Sequence, residues 1–309
     1  AALRRSLSIA EQVGEVEIMS ADFGNLGMLS TRFGDLAEAE VYFKRGLVLA
    51  EQVSDPIYTS LLYGYLATIM QDQGKINEAK TSLCQALRVG RAKKFTFCIG
   101  AALVALGHLH ITQALANQEN SSGLPETTRR RRNTSSTHFL KRARIALQRA
   151  LTLEGLEAET RTEGKLTLAQ VSLLLEEIDT AQQQVMQAME ESRRLEQTWL
   201  LACAQRLVGE ILSVQGKQEQ ANEYFEQALE TFHKCGMRLE WARTLQSYGV
   251  ALLERRSKDD GSFRQGVKYL QEAHQAFQEC NAVLDHQVVE RMLSKYTPVT
   301  AAPTRKRDR

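Results

Sequence analysis

The segment LGMLSTRFGDLAEAEVYFKRGLVLA, residues 26–50, decides the fold of this chain. It holds a large apolar residue followed by a small one, then a Gly-Asp pair, then Ala39, Phe43 and Gly46. Residues at i, i+4 and i+7 share one helix face, so the second half predicts a helix with small residues on its packing face. Gly34, between the halves, is a typical helix end. The segment therefore predicts two helices joined by a glycine turn.

The same pattern recurs along the chain, and each copy closes on a small residue. The closing residues are Ser6, Gly46, Ala86, Ala150, Ala188, Ala228 and Ala273. Most are separated by about 40 residues, a period that indicates a solenoid of stacked helix pairs. We predict an all-α solenoid of about six pairs, with a partial repeat at the N-terminus and a capping helix at the C-terminus.

These motifs resemble the tetratricopeptide repeat (TPR). Residues 26–50 and the segment VGEILSVQGKQEQANEYFEQALETF, residues 208–232, carry the large–small pair, the Gly turn and the Ala…Phe…small helix. The resemblance implies a right-handed α-α superhelix whose first helices line a concave groove. The units here are longer than the 34 residues typical of the family. In their length, and in stretches such as LVLAEQVSDP, they are similar to the TPR arrays of bacterial STAND-type regulators, the multidomain signalling ATPases that include NB-ARC proteins and maltose-type activators.

The domain organisation follows from the repeat. Residues 1–296 are predicted to form one solenoid, interrupted by a flexible insertion at about residues 117–137, where the sequence is polar and contains Gly and Pro. Residues 297–309 are predicted to be a disordered basic tail. The chain starts at Ala1, inside the second helix of a repeat, so we expect it to be a piece of a longer protein or a trimmed form of one.

Bulk properties narrow the functional classes. The formal net charge is only +2, so no global field attracts nucleic acid. The sequence has no stretch of 18 apolar residues and no signal peptide, so no membrane span is expected. The five cysteines lack metal-ligand spacing and suggest a reducing setting, and we therefore expect a cytoplasmic location.

The residues that carry chemistry in enzymes are not arranged in recognisable motifs. His108 and His110 are two apart on a helix and point to different faces, so they cannot share a metal. The glycines are single, and no phosphate-binding loop, HExxH or CxxC motif occurs. We predict a non-enzymatic protein without a cofactor or a metal.

Binding is expected in the concave groove, where the TPR resemblance places a set of inward-facing positions. The wall is predicted to be small and apolar in the first three units and polar in the last three. The candidate partner-binding residues are Met28, Arg32, Leu61, His108, Gln170, Arg206, Glu210, Arg243 and Gln246. Leu61 and Val104 could equally pack against neighbouring first helices.

The function we predict from the sequence is a protein-interaction module, the sensor or scaffold region of a larger bacterial signalling or transcription-regulating ATPase. Its partners would be a protein or peptide in the groove and the neighbouring domains of the longer chain. A free-standing adaptor is the alternative. A further alternative is nucleic-acid binding through the basic region Arg129–Arg144; the run Arg129, Arg130, Arg131 and Arg132 could contact an acidic partner or a phosphate backbone. No aromatic residue interrupts the run, so nucleic acid is not the expected partner.

Overall fold

The computed structural model of the chain describes residues 2–119, 126–254 and 260–296, with side chains described for residues 2–117, 133–254 and 261–296. All regular elements in these ranges are α-helices. They are α1 (Ala2–Val13), α2 (Val16–Phe33), α3 (Leu36–Gln52), α4 (Pro56–Asp72), α5 (Ile76–Lys93), α6 (Thr96–Glu119), α7 (Glu126–Leu151), α8 (Ala158–Leu174), α9 (Ile178–Arg194), α10 (Thr198–Val214), α11 (Gln218–Lys234), α12 (Arg238–Leu253), α13 (Asp260–Glu279) and α14 (Val283–Tyr296).

The helices are arranged as a stack of pairs. Within the described ranges, six consecutive pairs run from α2 with α3 to α12 with α13, and the second helix of each pair packs against the first helix of the next. The helix α1 packs on α2 as the second helix of a partial repeat, and α14 packs on α13 at the other end. The predicted all-α solenoid, with its partial first repeat and its final capping helix, is confirmed.

The turn between α2 and α3 shows how the sequence ends one helix and begins the next. Gly34 has a left-handed backbone (φ 89°), and its N–H donates to the carbonyl of Thr31 at 3.0 Å. Only glycine adopts this conformation without a steric penalty. The next residue, Asp35, accepts a hydrogen bond at 3.0 Å from the backbone N–H of Glu38 and so caps α3.

The two helices of a pair approach closely where a glycine of the first faces a large side chain of the second. A Cβ added at Gly27 would lie 2.5 Å from the ring of Phe43, and one at Gly107 would lie 2.8 Å from Leu147. Both large side chains are fully buried. The small residues predicted to lie at helix crossings therefore do so, and the large residue fills the space that the missing side chain leaves.

Two sequence-based expectations about irregular segments are wrong. The insertion predicted as a loop over residues 117–137 is helical at both described ends, because α6 continues to Glu119 and α7 begins at Glu126. Ser136 is buried within α7 and donates to the carbonyl of Ala114 at 3.0 Å, so this end of α7 packs against α6. Gly261 occupies the place in the last repeat that Gly34 occupies in the first, a pattern that predicts a turn between helices, but it lies in the first turn of α13. Residues 120–125 and the predicted tail, residues 297–309, lie outside the described residues.

One described helix, α6, is long and apolar enough to cross a membrane when judged by length and composition. The window Thr96–Asn117 has a mean hydropathy of 1.5, and 56% of it is buried inside the fold. The helix packs against α4, α5, α7 and α8. The core helix of a soluble protein has the same properties, so the packing of α6 is a sufficient reason for its composition.

The two ends of the solenoid meet. The C-terminal end of α2 contacts α12, and α4 contacts α14. A Cβ added at Gly34 would lie 2.7 Å from Sγ of Cys280, and one at Gly74 would lie 3.5 Å from Leu284. One continuous apolar core includes residues of α3 and α4 together with residues of α12, α13 and α14. The stack therefore coils until its last units pack against its first.

A pair of histidines lies at the junction of the final two helices. The rings of His274 on α13 and His286 on α14 have centroids 4.0 Å apart. Burial lowers the pKa of His274, and the charge of His286 lowers it further, while Glu290 acts in the opposite direction. The folded state therefore favours the neutral imidazole, and this contribution to stability is present above the ordinary pKa of about 6.5 and is lost as the pH falls.

The substitution Gly27→Ala tests the helix crossing. The new methyl group would overlap the ring of Phe43, so we expect the free energy of unfolding to fall by about 1–3 kcal/mol. Gly64→Ala is the matched control, because a Cβ at Gly64 meets no atom within 4 Å and alanine is preferred in helices by about 0.5–1 kcal/mol. Urea unfolding followed by circular dichroism measures both. Equal stability of the two variants would contradict the close crossing.

The substitution His274→Gln tests the histidine pair. We expect the wild-type melting temperature to fall as the pH is lowered from about 7 to about 5, and the fall to be smaller in this variant because a neutral amide replaces the imidazole. His233→Gln, at an exposed position on α11, should keep the full wild-type pH dependence. If both variants show the wild-type fall, the pair does not contribute to the pH response.

Candidate functional site

The first helices of the pairs form the inner layer of the coil. Successive first helices, from α2 and α4 through α6, α8 and α10 to α12, pack directly against one another, whereas no successive second helices make comparably close contact among the described residues. In a curved stack of helices, the layer with the shorter helix-to-helix spacing lies on the inner, concave side. The concave wall is therefore built from the first helices, as the TPR resemblance implied.

The nine predicted groove residues share one environment. All are half-buried, as expected for side chains that line a concave surface. They are Met28, Arg32, Leu61, His108, Gln170, Arg206, Glu210, Arg243 and Gln246. Their contact with a partner stays a prediction, but the structure shows that several of them already have partners within the chain. Val104, in contrast, is buried against α8, where it lies beside Gly164.

Arg243 is the centre of an ion cluster that joins α4, α12 and α14. Its guanidinium donates to Asp72 at 2.8 Å, to Glu240 at 2.9 Å and to Asp285 at 3.0 Å. Arg206 on α10 donates to the other oxygen of Glu240 at 2.7 Å. We call these five residues the Arg243 cluster. It links helices that are far apart in sequence, so the same arginine that was expected to bind a partner holds the ends of the solenoid together.

The pKa values of the Arg243 cluster reflect three carboxylates facing two guanidinium groups. Burial acts to raise the pKa of Glu240, but Arg206 and Arg243 on either side lower it to about 2. Burial raises the pKa of Asp72 to about 6, with Arg243 opposing and Asp285 reinforcing the rise. Glu240 is thus the ionised bridge between the arginines, whereas burial favours the neutral form of Asp72.

A second cross-groove contact involves Arg32, at the end of α2. Its guanidinium forms an ion pair with Glu159 on α8, and it lies 5.3 Å from the ring centroid of Trp199 on α10. A cation above an indole face is attracted by the ring quadrupole. Arg32 therefore connects the first unit to the fourth and fifth units, and it narrows the groove at the end where α8 and α10 begin.

A band of carboxylates lies at the start of α8. His108 on α6 contacts Glu163 at 3.2 Å and Thr167 at 3.1 Å. Burial, together with the charges of Glu157 and Glu163, raises the pKa of Tyr65 to about 12, so its hydroxyl stays neutral. This part of the wall offers acceptors and one aromatic ring.

The remaining predicted residues contribute less defined contacts. Glu210 accepts a hydrogen bond at 2.6 Å from the hydroxyl of Ser247, and burial raises its pKa against the influence of Arg206. Met28 packs against the core shared by the two ends of the solenoid. The run Arg129–Arg132 lies in α7, and its side chains lie outside the described part of the chain.

Sequence reasoning missed three members of the Arg243 cluster. Glu240 could have been found, because it precedes Arg243 by three residues on the same helix face. Asp72 and Asp285 could not, because their contacts with Arg243 depend on how far the solenoid coils.

Comparison with known proteins agrees with this architecture. The sequence profile of the tetratricopeptide repeat matches residues 23–56. The fold is that of a TPR-like solenoid. A search of curated protein sequences found no match. Among solved structures, the crystal structure of a Rap protein complexed with competence and sporulation factor is similar, with a TM-score of 0.56 and 12% sequence identity over 90% of this chain and 74% of the Rap chain. At this identity the similarity concerns the fold.

The substitution Arg243→Ala tests the role of the cluster. It leaves Asp72, whose side chain is only 9% exposed, without its counter-charge. Removal of one partner of a buried ion pair costs about 3–5 kcal/mol, so we expect a clear fall in the free energy of unfolding. Lys234→Ala, which removes an exposed ion pair within α11, is the control and should leave stability unchanged within error. Equal stability of both variants would show that the cluster does not hold the ends together.

Proposed function

We propose that this chain is a non-enzymatic protein-interaction module that binds a peptide or protein segment in its concave groove. The observation that carries the proposal is the inner wall itself. Side chains from all six pairs in the described part line it, half-buried, and several are fixed by ion pairs to helices distant in sequence. A wall held in this way presents its remaining donors and acceptors in a fixed arrangement, which reduces the entropy lost on binding.

The composition of the wall suggests how such a segment would be held. Carboxylates at the start of α8 can accept hydrogen bonds from the backbone N–H groups or basic side chains of a ligand. Tyr65, Leu61 and Met28 supply apolar surface in the first two units. The fold similarity to a Rap protein that was solved in complex with competence and sporulation factor supports a ligand-binding role for a solenoid of this type.

We further propose that the module is the sensor or scaffold region of a larger bacterial signalling or transcription-regulating ATPase. The support is the long repeat unit and its similarity to the repeat arrays of STAND-type regulators. In that setting, ligand binding would shift a neighbouring domain between two states, because a ligand favours the conformation to which it binds more tightly. A free-standing adaptor is the alternative. The domains encoded beside this segment in its gene distinguish the two.

The groove proposal is tested by selecting peptides from a random display library against the purified chain and measuring their binding by fluorescence polarisation. For a selected peptide, the variant Gln170→Ala/Gln246→Ala should raise Kd at least about ten-fold, because each glutamine lines the groove and offers both a donor and an acceptor. The control variant Gln183→Ala/Gln187→Ala alters exposed positions on the second helix α9 and should bind as wild type does.

The outcome that would contradict the proposal is a set of selected peptides whose binding depends on Gln183 and Gln187 rather than on the groove pair. Circular dichroism of each variant shows whether the helices are retained, so that loss of binding is not confused with loss of folding.

A further inference from the structure

A small cavity lies where the ends of several helices meet. It has a volume of about 210 Å³ and lies between α5, α6, α7 and α14. Ile76, Ala116, Phe139 and Leu284 supply its apolar wall, and Thr112 and Gln113 supply polar groups. The side chains of Ile76, Phe139 and Leu284 are each partly exposed, so the cavity is open to solvent. We call it the outer cavity.

Basic side chains flank the outer cavity on two helices. Lys80 follows Ile76 by four residues on α5, and Arg142 follows Phe139 by three residues on α7. These spacings place each basic residue on the same helix face as a cavity residue. Both Lys80 and Arg142 are exposed.

The imidazole of His110, on α6, lies beside the cavity, 3.1 Å from the side chain of Gln113 and with its ring centroid 6.0 Å from that of Phe139. Burial is the main cause that lowers its pKa, and a hydrogen bond with Gln113 opposes the shift. The charges of Arg142 and Lys80 lower the pKa further, as does that of His138 on α7. Side chains from α5 and α7 are therefore close enough to act on one group beside the cavity.

The charge of these two helices differs from that of the rest of the chain. The helix α5 has four basic residues and one acidic residue, and α7 has eight basic residues and one acidic residue. The whole chain has a net charge of only +2, so the remaining residues are acidic as a group. A negatively charged partner would thus be attracted to this side of the molecule.

We propose that the outer cavity is a docking site for an acidic segment of a partner protein, with an apolar side chain of that segment in the cavity and its carboxylates paired with Lys80 and Arg142. The apolar wall favours a protein over a nucleic acid, because a phosphate backbone has no apolar group to place there. The cavity provides the anchor, and the basic rim provides complementary charge. None of the nine predicted groove residues lines this cavity, and the proposal does not depend on the groove's function.

The test uses a short fluorescein-labelled peptide built from glutamate and leucine, with binding measured by fluorescence polarisation at low salt. We expect it to bind the wild-type chain. The charge-reversal variant Lys80→Glu/Arg142→Glu should weaken binding at least about ten-fold, since it turns attraction into repulsion. The matched control Arg194→Glu/Lys217→Glu changes the net charge equally at exposed positions elsewhere and should weaken binding by no more than about two-fold.

A second variant and two competing probes test the anchor. Ala116→Trp fills the cavity from an exposed position, so it should weaken peptide binding at least about ten-fold while the helical circular dichroism spectrum is unchanged. A glutamate-only peptide should bind more weakly than the leucine-containing one. The proposal is overturned if the wild type does not bind the peptide, if the control weakens binding as much as the charge reversal, if Ala116→Trp has no effect, or if duplex DNA binds more tightly than the peptide.

Discussion

The close crossing of paired helices is the constraint on which the rest of the structure depends. Where Gly27 faces Phe43, a single additional carbon atom would overlap the ring, and the same relation recurs between Gly107 and Leu147. Because each pair is so tightly joined, it behaves as one unit, and the buried large residue fixes how the two helices are oriented. Successive first helices then pack on one another more closely than the second helices do, and the stack curves towards its first helices. The concave wall is a geometric consequence of this difference.

The curvature brings the ends of the chain together and gives the inner wall its charge pattern. Arg243 reaches Asp72 on α4 and Asp285 on α14, and Arg32 on α2 reaches Glu159 on α8. Ion pairs of this kind contribute little net stability compared with apolar packing, but their removal one partner at a time is costly. They select one degree of coiling over others, since only that arrangement gives each charge a partner. The groove that results carries charged side chains on α8, α10 and α12 and is narrowed by Arg32 at the start of α8.

The sequence predicted the elements that depend on local pattern. The Ala, Phe and Gly series at fixed spacing was enough to give the helix pairs and the glycine turn at Gly34, and the apolar stripe of residues 281–296 gave the final capping helix. The start of α7 was missed because a polar, arginine-rich stretch was interpreted as a loop, although arginine is a good helix former and Ser136 packs against α6. Some turns use no glycine at all: Glu176 and Glu196 adopt the left-handed conformation with φ of 63° and 54°.

For the candidate site, the nine predicted wall residues lie at half-buried positions, but sequence spacing could not give their partners within the chain. The contact between Arg243 and Asp72 depends on how far the helix pairs from α4 to α13 are rotated relative to one another. No local sequence pattern predicts this overall rotation. The outer cavity was missed for a similar reason, because Ile76, Phe139 and Leu284 come from three helices that meet only when the coil closes.

The measurement that tests the central claim most directly is the distance between the α4–α5 turn and the end of α13. Spin labels at Lys75→Cys and Gln278→Cys, in a background where the exposed Cys84 and Cys235 are serine, would be measured by pulsed dipolar electron paramagnetic resonance. If the ends of the solenoid meet, the two labels should give a single narrow distance distribution at short distance. The reason is that Lys75 lines the same cavity as Asn281, which is three residues after Gln278. A broad population at distances on the order of 40 Å, as in an uncoiled stack in which four steps of roughly 10 Å separate the two labelled pairs, would contradict it.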